Sequence, residues 1–317
     1  MKDGSDRLDD AARAAWLAYV GGCKQDEIAA HMGISRQAAQ RLVAHAMAVG
    51  LVKVRIDHPV AHCMVLAREL QSCYGLAVCT VVPTLQSDEA TGLAVSHAAG
   101  DLLESWLVAD EPGVIGLGTG RTLRAAVEHL PRIPAEHHRI VSLTGNITPD
   151  GSTAYYNVLF TIADRVDSST YPLPMPVIAA SAEERSALLN QKTLATTRRL
   201  ALDTDVRFVG IGPIHEKAPL VMDGFITPDD GRRLATQGAV GEILGFVFDR
   251  DGRLADDEIN SRVTSAPLSA SPDIPTIAAA QGAGKYAAIR AALTGRLMTG
   301  LVTDERTAEA LLSPETP

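Results

Sequence analysis

From Leu76 onward, short apolar runs alternate with amphipathic stretches, and several runs end in glycine. "GVIGLGTGRTL", Gly113 to Leu123, is the sharpest case: an apolar run, alternating glycines, then Thr119, Gly120, Arg121 and Thr122. It reads as a strand, a tight loop and a helix start. The strand candidates are 76–82, 113–117, 139–143, 177–179, 206–211, 245–248 and 275–279. Helices fill most gaps, as at 87–109, 119–130, 153–166 and 285–294. Near-continuous apolar strands need cover on both faces. The pattern therefore predicts an α/β fold built on a doubly wound, mostly parallel sheet. Glycine-rich turns at the carboxyl ends of such strands line the ligand crevice. "STYPLPMPV", Ser169 to Val177, reads as a proline-rich loop.

Upstream of Leu76 the signals are mainly helical. Residues 1–9 look disordered. "DAARAAWLAYV" sets Ala14, Leu17 and Ala18 on one helix face, with Trp16 and Val20 adjoining it. A short helix at 25–32 meets Gly33, and a longer one from Ser35 to about Val49 closes on Gly50. Ile28, Ala29, Met32, Ile34 and Val43 close a small core between them, with Ser35 as N-cap. Helix, glycine turn, helix at this spacing matches a helix-turn-helix. The start of its second helix would enter the major groove. Arg36, Gln37, Gln40 and Arg41 project from the outer face, suited to base edges or phosphates. "LVKVRI" reads as a short exposed strand, whose Lys53 and Arg55 could meet the DNA backbone. The candidate DNA-binding set is thus Ser35, Arg36, Gln37, Gln40, Arg41, Lys53 and Arg55. The plain alternative is a helical hairpin with a solvated basic face.

"PVAHCMVLARELQSCYG" predicts one more amphipathic helix, with Val60, Met64, Ala67 and Leu70, plus Cys63 or Cys73, along one stripe. It either couples subunits or packs on its own domain. One helix-turn-helix makes few base contacts, so specific binding calls for two half-sites and a homo-oligomer, dimer or tetramer. The expected division is residues 1–57 for DNA binding, 58–75 as a linking or oligomerisation helix, and 76–317 for effector binding.

A formal charge of −9 argues against a generic nucleic-acid binder. The charge is uneven, however: residues 1–60 hold eight Lys/Arg against seven Asp/Glu, and the remainder 21 against 31. Cys23, Cys63, Cys73 and Cys79 form no CxxC pair and have no histidine cluster beside them, so no metal site and reduced thiols are expected. No apolar run approaches the roughly 18 residues of a membrane span. "MKDGSDRLDD" is too acidic and polar for a signal peptide, so a cytoplasmic location is expected.

In "GLGTGRTL" the glycines let backbone approach an anion, while Thr119, Thr122 and the helix-start N–H groups can donate to phosphate oxygens. Arg121 stands where a dinucleotide fingerprint would have its third glycine, so NAD is not expected and no cofactor is assigned. Further loops end other strands: Gly145 and Asn146 in "LTGNIT", Gly210 and Gly212 in "VGIGPI", Glu242 in "GAVGEILGFVFDRDG", and Lys285 in "QGAGKYAAIRAAL". Loops ending strands of one sheet converge on one crevice, which here suits an anionic or polyhydroxylated ligand.

"GLGTGRTL" looks like the phosphate loop of ribose-5-phosphate isomerases and glucosamine-phosphate deaminases. The acidic "DGADE" motif of the isomerases is absent, and His215 with Glu216 offers only a partial acid/base pair. No catalytic residue is assigned. The alternative reading is a sugar-phosphate isomerase or deaminase with an accessory N-terminal domain.

The whole chain, from about Leu17 to Leu312, is similar to the SorC/DeoR family of sugar-binding transcriptional regulators, and within it to the polyol-catabolism branch with its erythritol regulators. The resemblance rests on "QDEIAAHMGISRQAAQRLVAHAMAVGLVKVRI", "GLGTGRTL", "TDVRFVGIGPI", "GAVGEILGFVFDRDG" and "GAGKYAAIRAALTGRLMTGLVTDERTAEALL". It implies a helix-turn-helix joined to an effector domain related to sugar-phosphate isomerases, operator DNA as partner, and an oligomer controlled by a phosphorylated sugar or related metabolite. It implies effector contacts at Gly118, Thr119, Gly120, Arg121 and Thr122, with Glu242 on sugar hydroxyls and Lys285 on the phosphate. Gly145, Asn146 and Gly212 complete the candidate effector set. Arg121 departs from the small residue usual in this loop, which leaves a neutral polyol as an alternative effector.

Overall fold

The computed structural model describes residues 2–52, 61–148, 151–152, 158–268 and 273–314. The chain divides into two units, Met1–His58 and Pro59–Pro317.

The first unit contains α1 (Lys2–Tyr19), α2 (Gln25–Met32) and α3 (Arg36–Ala48). The helix begins at Lys2, where disorder was expected over 1–9: no proline interrupts the stretch, and helical hydrogen bonding continues upstream of Asp10. Ala14, Ile28, Ala29 and Ala39 form the centre of a small core, edged by Leu17, Met32, Ile34 and Val43. Small alanines let three short helices approach closely. Trp16 and Val20 do not join that core and stay exposed, because Ala11, Ala14 and Ala15 define the buried stripe of α1. Leu51 and Val52 are not in a strand, and the rest of "LVKVRI", with Lys53 and Arg55, lies outside the described residues.

The second unit opens with α4 (Ala61–Tyr74). It continues through β1 (Val78–Val82), α5 (Asp88–Leu107), β2 (Val114–Leu117), α6 (Arg121–His129), β3 (Arg139–Ser142), α7 (Val158–Ala163) and β4 (Ser169–Tyr171). Next come α8 (Ala182–Leu189), α9 (Ala195–Leu202), β5 (Val206–Gly210), β6 (Gly212–Pro213), α10 (Pro219–Met222) and α11 (Pro228–Thr236). The remaining elements are β7 (Ala239–Ile243), β8 (Phe246–Asp249), α12 (Glu258–Arg262), β9 (Thr276–Ala279), α13 (Tyr286–Thr294), β10 (Gly300–Asp304) and α14 (Glu305–Leu312).

Seven strands form one parallel sheet in the order β1-β10-β9-β5-β2-β3-β4. Alternate residues feed two cores. Ile115, Leu117, Phe208, Ile277 and Val302 pack beneath α5, α6 and α7, while Val114, Val209, Ala278 and Leu301 pack on the opposite face. This two-sided burial is why the strands read as continuous apolar runs. Strand order reverses between β2 and β5, which carries the loops after these two strands in opposite directions. β6, β7 and β8 form a separate antiparallel sheet.

Further expectations are corrected. The edge strand is β4 at Ser169–Tyr171, inside the stretch read as a loop, where it pairs with β3 from Arg139 to Val141. Residues 177–179 make only an isolated bridge, Ile178 to Val263; their apolar character comes from burial in the core rather than from a ladder. In α4 the buried stripe is Cys63, Leu66 and Leu70, with Met64 exposed, because both stripes satisfy helical spacing and only the neighbouring β1 and α14 choose between them. His62 Nε2 stands 3.1 Å from Glu309 and 3.8 Å from Glu305, adding a polar contact between α4 and α14. β6, β7 and β10 had no strand expectation, and 245–248 becomes β8 in the antiparallel sheet. The four cysteines are free thiols. No helix among the described residues is long and apolar enough to cross a membrane.

Candidate effector pocket and nucleic-acid-binding helix

At the reversal between β2 and β5 lies a cavity of about 260 Å³. That is just below the volume typical of pockets for drug-sized ligands, and suits a small metabolite. The first wall is the loop after β2. Gly118 N–H donates to Phe208 O at 2.8 Å, tying the loop to β5. Gly120 then takes φ 123°, a conformation closed to most side chains, and turns the chain into α6. Gly120 has no side chain, so it supplies no side-chain cap to the start of α6. Thr119, Gly120, Arg121, Thr122 and Leu123 all line the cavity.

The second wall comes from β5 to β7. Gly210, Ile211 and Gly212 line it, with Glu242 of β7 beside them. A Cβ on Gly212 would lie 2.3 Å from Glu242 Oε1, so a larger residue there would push the carboxylate from this position. Glu242 Oε2 accepts the Gly245 N–H at 3.0 Å. Leu244 and Gly245, both at positive φ (56° and 85°), form the two-residue turn between β7 and β8 and also reach the cavity. Lys285 stands at the start of α13 and completes this side.

Four ionisable side chains line the cavity: Arg121, Asp223, Glu242 and Lys285. Arg121 Nη2 is 3.2 Å from Asp223 Oδ1. Burial pushes the Asp223 carboxyl above its ordinary range, and Arg121 partly restores it. Burial likewise pushes Glu242 up, against the Gly245 hydrogen bond and the Lys285 charge, with Asp223 adding to the rise. Lys285 is pushed down by burial, opposed by Glu242 and reinforced by Arg121. The four groups therefore act on one another as one cluster.

Of the expected effector residues, Thr119, Gly120, Arg121, Thr122, Gly212, Glu242 and Lys285 come together here. Gly118, Gly145 and Asn146 do not reach the wall. Gly118 backs the loop against Leu244 and β5, and Gly145 is pressed on the Met175 and Pro176 carbonyls. Thr144, one residue earlier, lines the cavity instead. Sequence reasoning missed Pro219, Leu220, Asp223 and Phe225, which bring the α10 segment to the opening. The one signal for them was the Asp223-Gly224 pair following the "VGIGPI" strand end. His215 and Glu216 lie elsewhere: His215 Nδ1 accepts the Lys217 N–H, and Glu216 pairs with Arg232.

In the first unit, Ser35 Oγ accepts the Ala38 N–H at 3.2 Å and starts α3. Arg36, Gln37, Gln40 and Arg41 are all exposed on that helix. Arg36 Nε lies 3.5 Å from Asp26 Oδ1, with both side chains about 70% exposed (68% and 71%). An ion pair so open to water is weak and readily exchanged for a phosphate. The paired Asp26 also shows that the basic face is not free of acids.

A family model for a sugar-binding domain matches residues 58–313, and one for the MarR family matches residues 14–60. The chain is 36% identical to the erythritol catabolism regulatory protein EryD of Brucella abortus, over 98% of each chain. It is 30% identical to the transcriptional regulator LsrR of an Enterobacter strain, over 95% of this chain and 92% of that one. The full-length sorbitol operon regulator SorC of Klebsiella pneumoniae superposes with a TM-score of 0.74 at 26% identity, over 96% of this chain and 98% of that one.

Proposed function

The chain belongs to the SorC/DeoR family of sugar-binding transcriptional regulators, and on that premise we propose that it governs a carbohydrate or polyol catabolic operon through an effector held in the β2–β5 cavity. It is a DNA-binding regulator and not an enzyme: its relatives are named regulators along their whole length, which sets aside the isomerase or deaminase alternative. The observation that carries the proposal is the cavity itself. It lies where the strand order of a parallel sheet reverses, and donors, acceptors and apolar side chains all line it.

In this reading residues 1–57 bind operator DNA, 58–75 link or oligomerise, and 76–317 bind effector. Arg36, Gln37, Gln40 and Arg41 contact the DNA, with Ser35 starting their helix and Lys53 and Arg55 on the backbone. The effector is a sugar phosphate or a polyol, held by Thr119, Gly120, Arg121, Thr122, Gly212, Glu242 and Lys285. The working form is a cytoplasmic homo-oligomer, dimer or tetramer, because one recognition helix supplies too few base contacts for specific binding. An effector can switch such an assembly only by binding its two arrangements unequally. The test is a gel-shift titration on the DNA upstream of the chain's own gene, with and without a carbohydrate panel. Binding that no carbohydrate alters would overturn the effector-controlled reading.

A further inference from the structure

Resting on the effector-pocket reading above, we propose that the cavity selects an uncharged polyol or sugar and rejects its phosphate ester. The charges of the wall carry this. Two cations, Arg121 and Lys285, face two carboxylates, Asp223 and Glu242, and no other ionisable side chain lines the cavity among the described residues. The cations and carboxylates are not segregated. Arg121 is held 3.2 Å from Asp223, and Lys285 feels the Glu242 carboxylate more strongly than the Arg121 guanidinium. Among the described residues each cation has a carboxylate in its field, so a phosphate dianion placed beside either one also meets a carboxylate.

Hydrogen-bond chemistry points the same way. Carboxylates only accept, and a phosphate dianion only accepts. Asp223 and Glu242 therefore call for donors, which hydroxyl groups supply and a phosphate does not. Hydroxyl oxygens in turn accept from Arg121, Lys285 and Thr119, which line the cavity. Leu220, Leu244 and Phe225 offer apolar surface for the C–H faces of such a ligand. The helix start, which alone suits an anion, is shared with Arg121, whose guanidinium is engaged by Asp223.

The experiment uses the full chain and a panel of four- to six-carbon polyols, each paired with its own monophosphate. Thermal shift identifies the ligand and calorimetric titration measures affinity. The expected result is a polyol that binds at least about tenfold tighter than its monophosphate. Asp223→Asn should weaken polyol binding by roughly tenfold or more, the loss expected for one hydrogen bond to a charged group, and should narrow the preference over the monophosphate. Arg121→Gln should widen that preference, since it leaves the wall net negative. Unliganded melting of both variants checks that they fold. Tighter binding of the monophosphate to the unaltered chain overturns this inference and leaves the effector reading standing. Neither form of any carbohydrate binding overturns both.

Discussion

Arg121 Nη2 lies 3.2 Å from Asp223 Oδ1 across 102 positions of sequence, joining the first residue of α6 to the residue that ends α10. The pair spans the cavity from the β2 loop to the segment after β6. Arg121 thus has a protein partner whose carboxylate lines the same cavity.

Replacing Arg36 and Arg41 together by Ala should abolish operator binding in gel shifts. Each exposed guanidinium is expected to contribute about 1–3 kcal/mol if it reads a base, or a salt-dependent share if it holds a phosphate. Carbohydrate-induced thermal shifts should survive, since neither side chain belongs to the effector unit. Unchanged gel shifts would remove α3 from the DNA interface.

Gly212→Ala should destroy the effector response. Its Cβ would stand 2.3 Å from Glu242 Oε1, so the carboxylate must leave its place against the Gly245 N–H. Because the atom that must move is the end of a flexible side chain, the cost falls on the carboxylate's position more than on overall stability, at about 1 kcal/mol. Calorimetry should show lost ligand affinity alongside a moderate drop in melting temperature, and intact affinity would contradict the placement of Glu242 in the wall.

Glu242 makes the stability of the effector unit pH-dependent. Its folded-state pKa is raised above the ordinary 4.5, chiefly by burial. Below 4.5 the group is protonated in both states and costs nothing. As pH climbs past 4.5 the unfolded chain ionises first, so stability falls until the folded group ionises too. Glu242→Gln should therefore gain melting temperature relative to the unaltered chain as pH rises through that window. A difference that stays flat from pH 4 to 7 would refute the raised pKa.

Arg207→Ala should weaken the effector unit severely. The buried guanidinium donates to Thr204 Oγ1 and to the carbonyls of Ala201, Leu202 and Pro267, at 2.9–3.3 Å. Removing it strands those carbonyls at about 1–3 kcal/mol each and opens a void beneath β5. Urea denaturation should show a loss of at least about 3 kcal/mol; a change below about 1 kcal/mol would mean that water replaces the guanidinium freely.

Much of the fold is legible in short stretches. The capped start of α3 at Ser35, the glycine turn before α6 and the two-faced strands β2, β5 and β9 each depend on a handful of neighbouring residues. The errors fall where local signals are degenerate. Cys63–Leu66–Leu70 and Met64–Ala67–Leu70 have equally good helical spacing, and only β1 and α14 select the first. Residues 177–179 are apolar because the core surrounds them, not because a strand needs them. The edge strand β4 is three residues long and followed at once by Pro172 and Pro174, too little for periodicity to register.

By itself the sequence determined the parallel sheet, the exposed basic helix and the glycine loop that lines the cavity. These follow from φ/ψ preferences, caps and hydrophobic period, all short-range. Only the tertiary structure decided that Asp223 meets Arg121, that Gly212 makes room for Glu242, and that Gly145 and Asn146 stay behind the wall. Those relations depend on the strand reversal between β2 and β5, which brings together loops distant in sequence, and no local preference encodes which side chains then face one another.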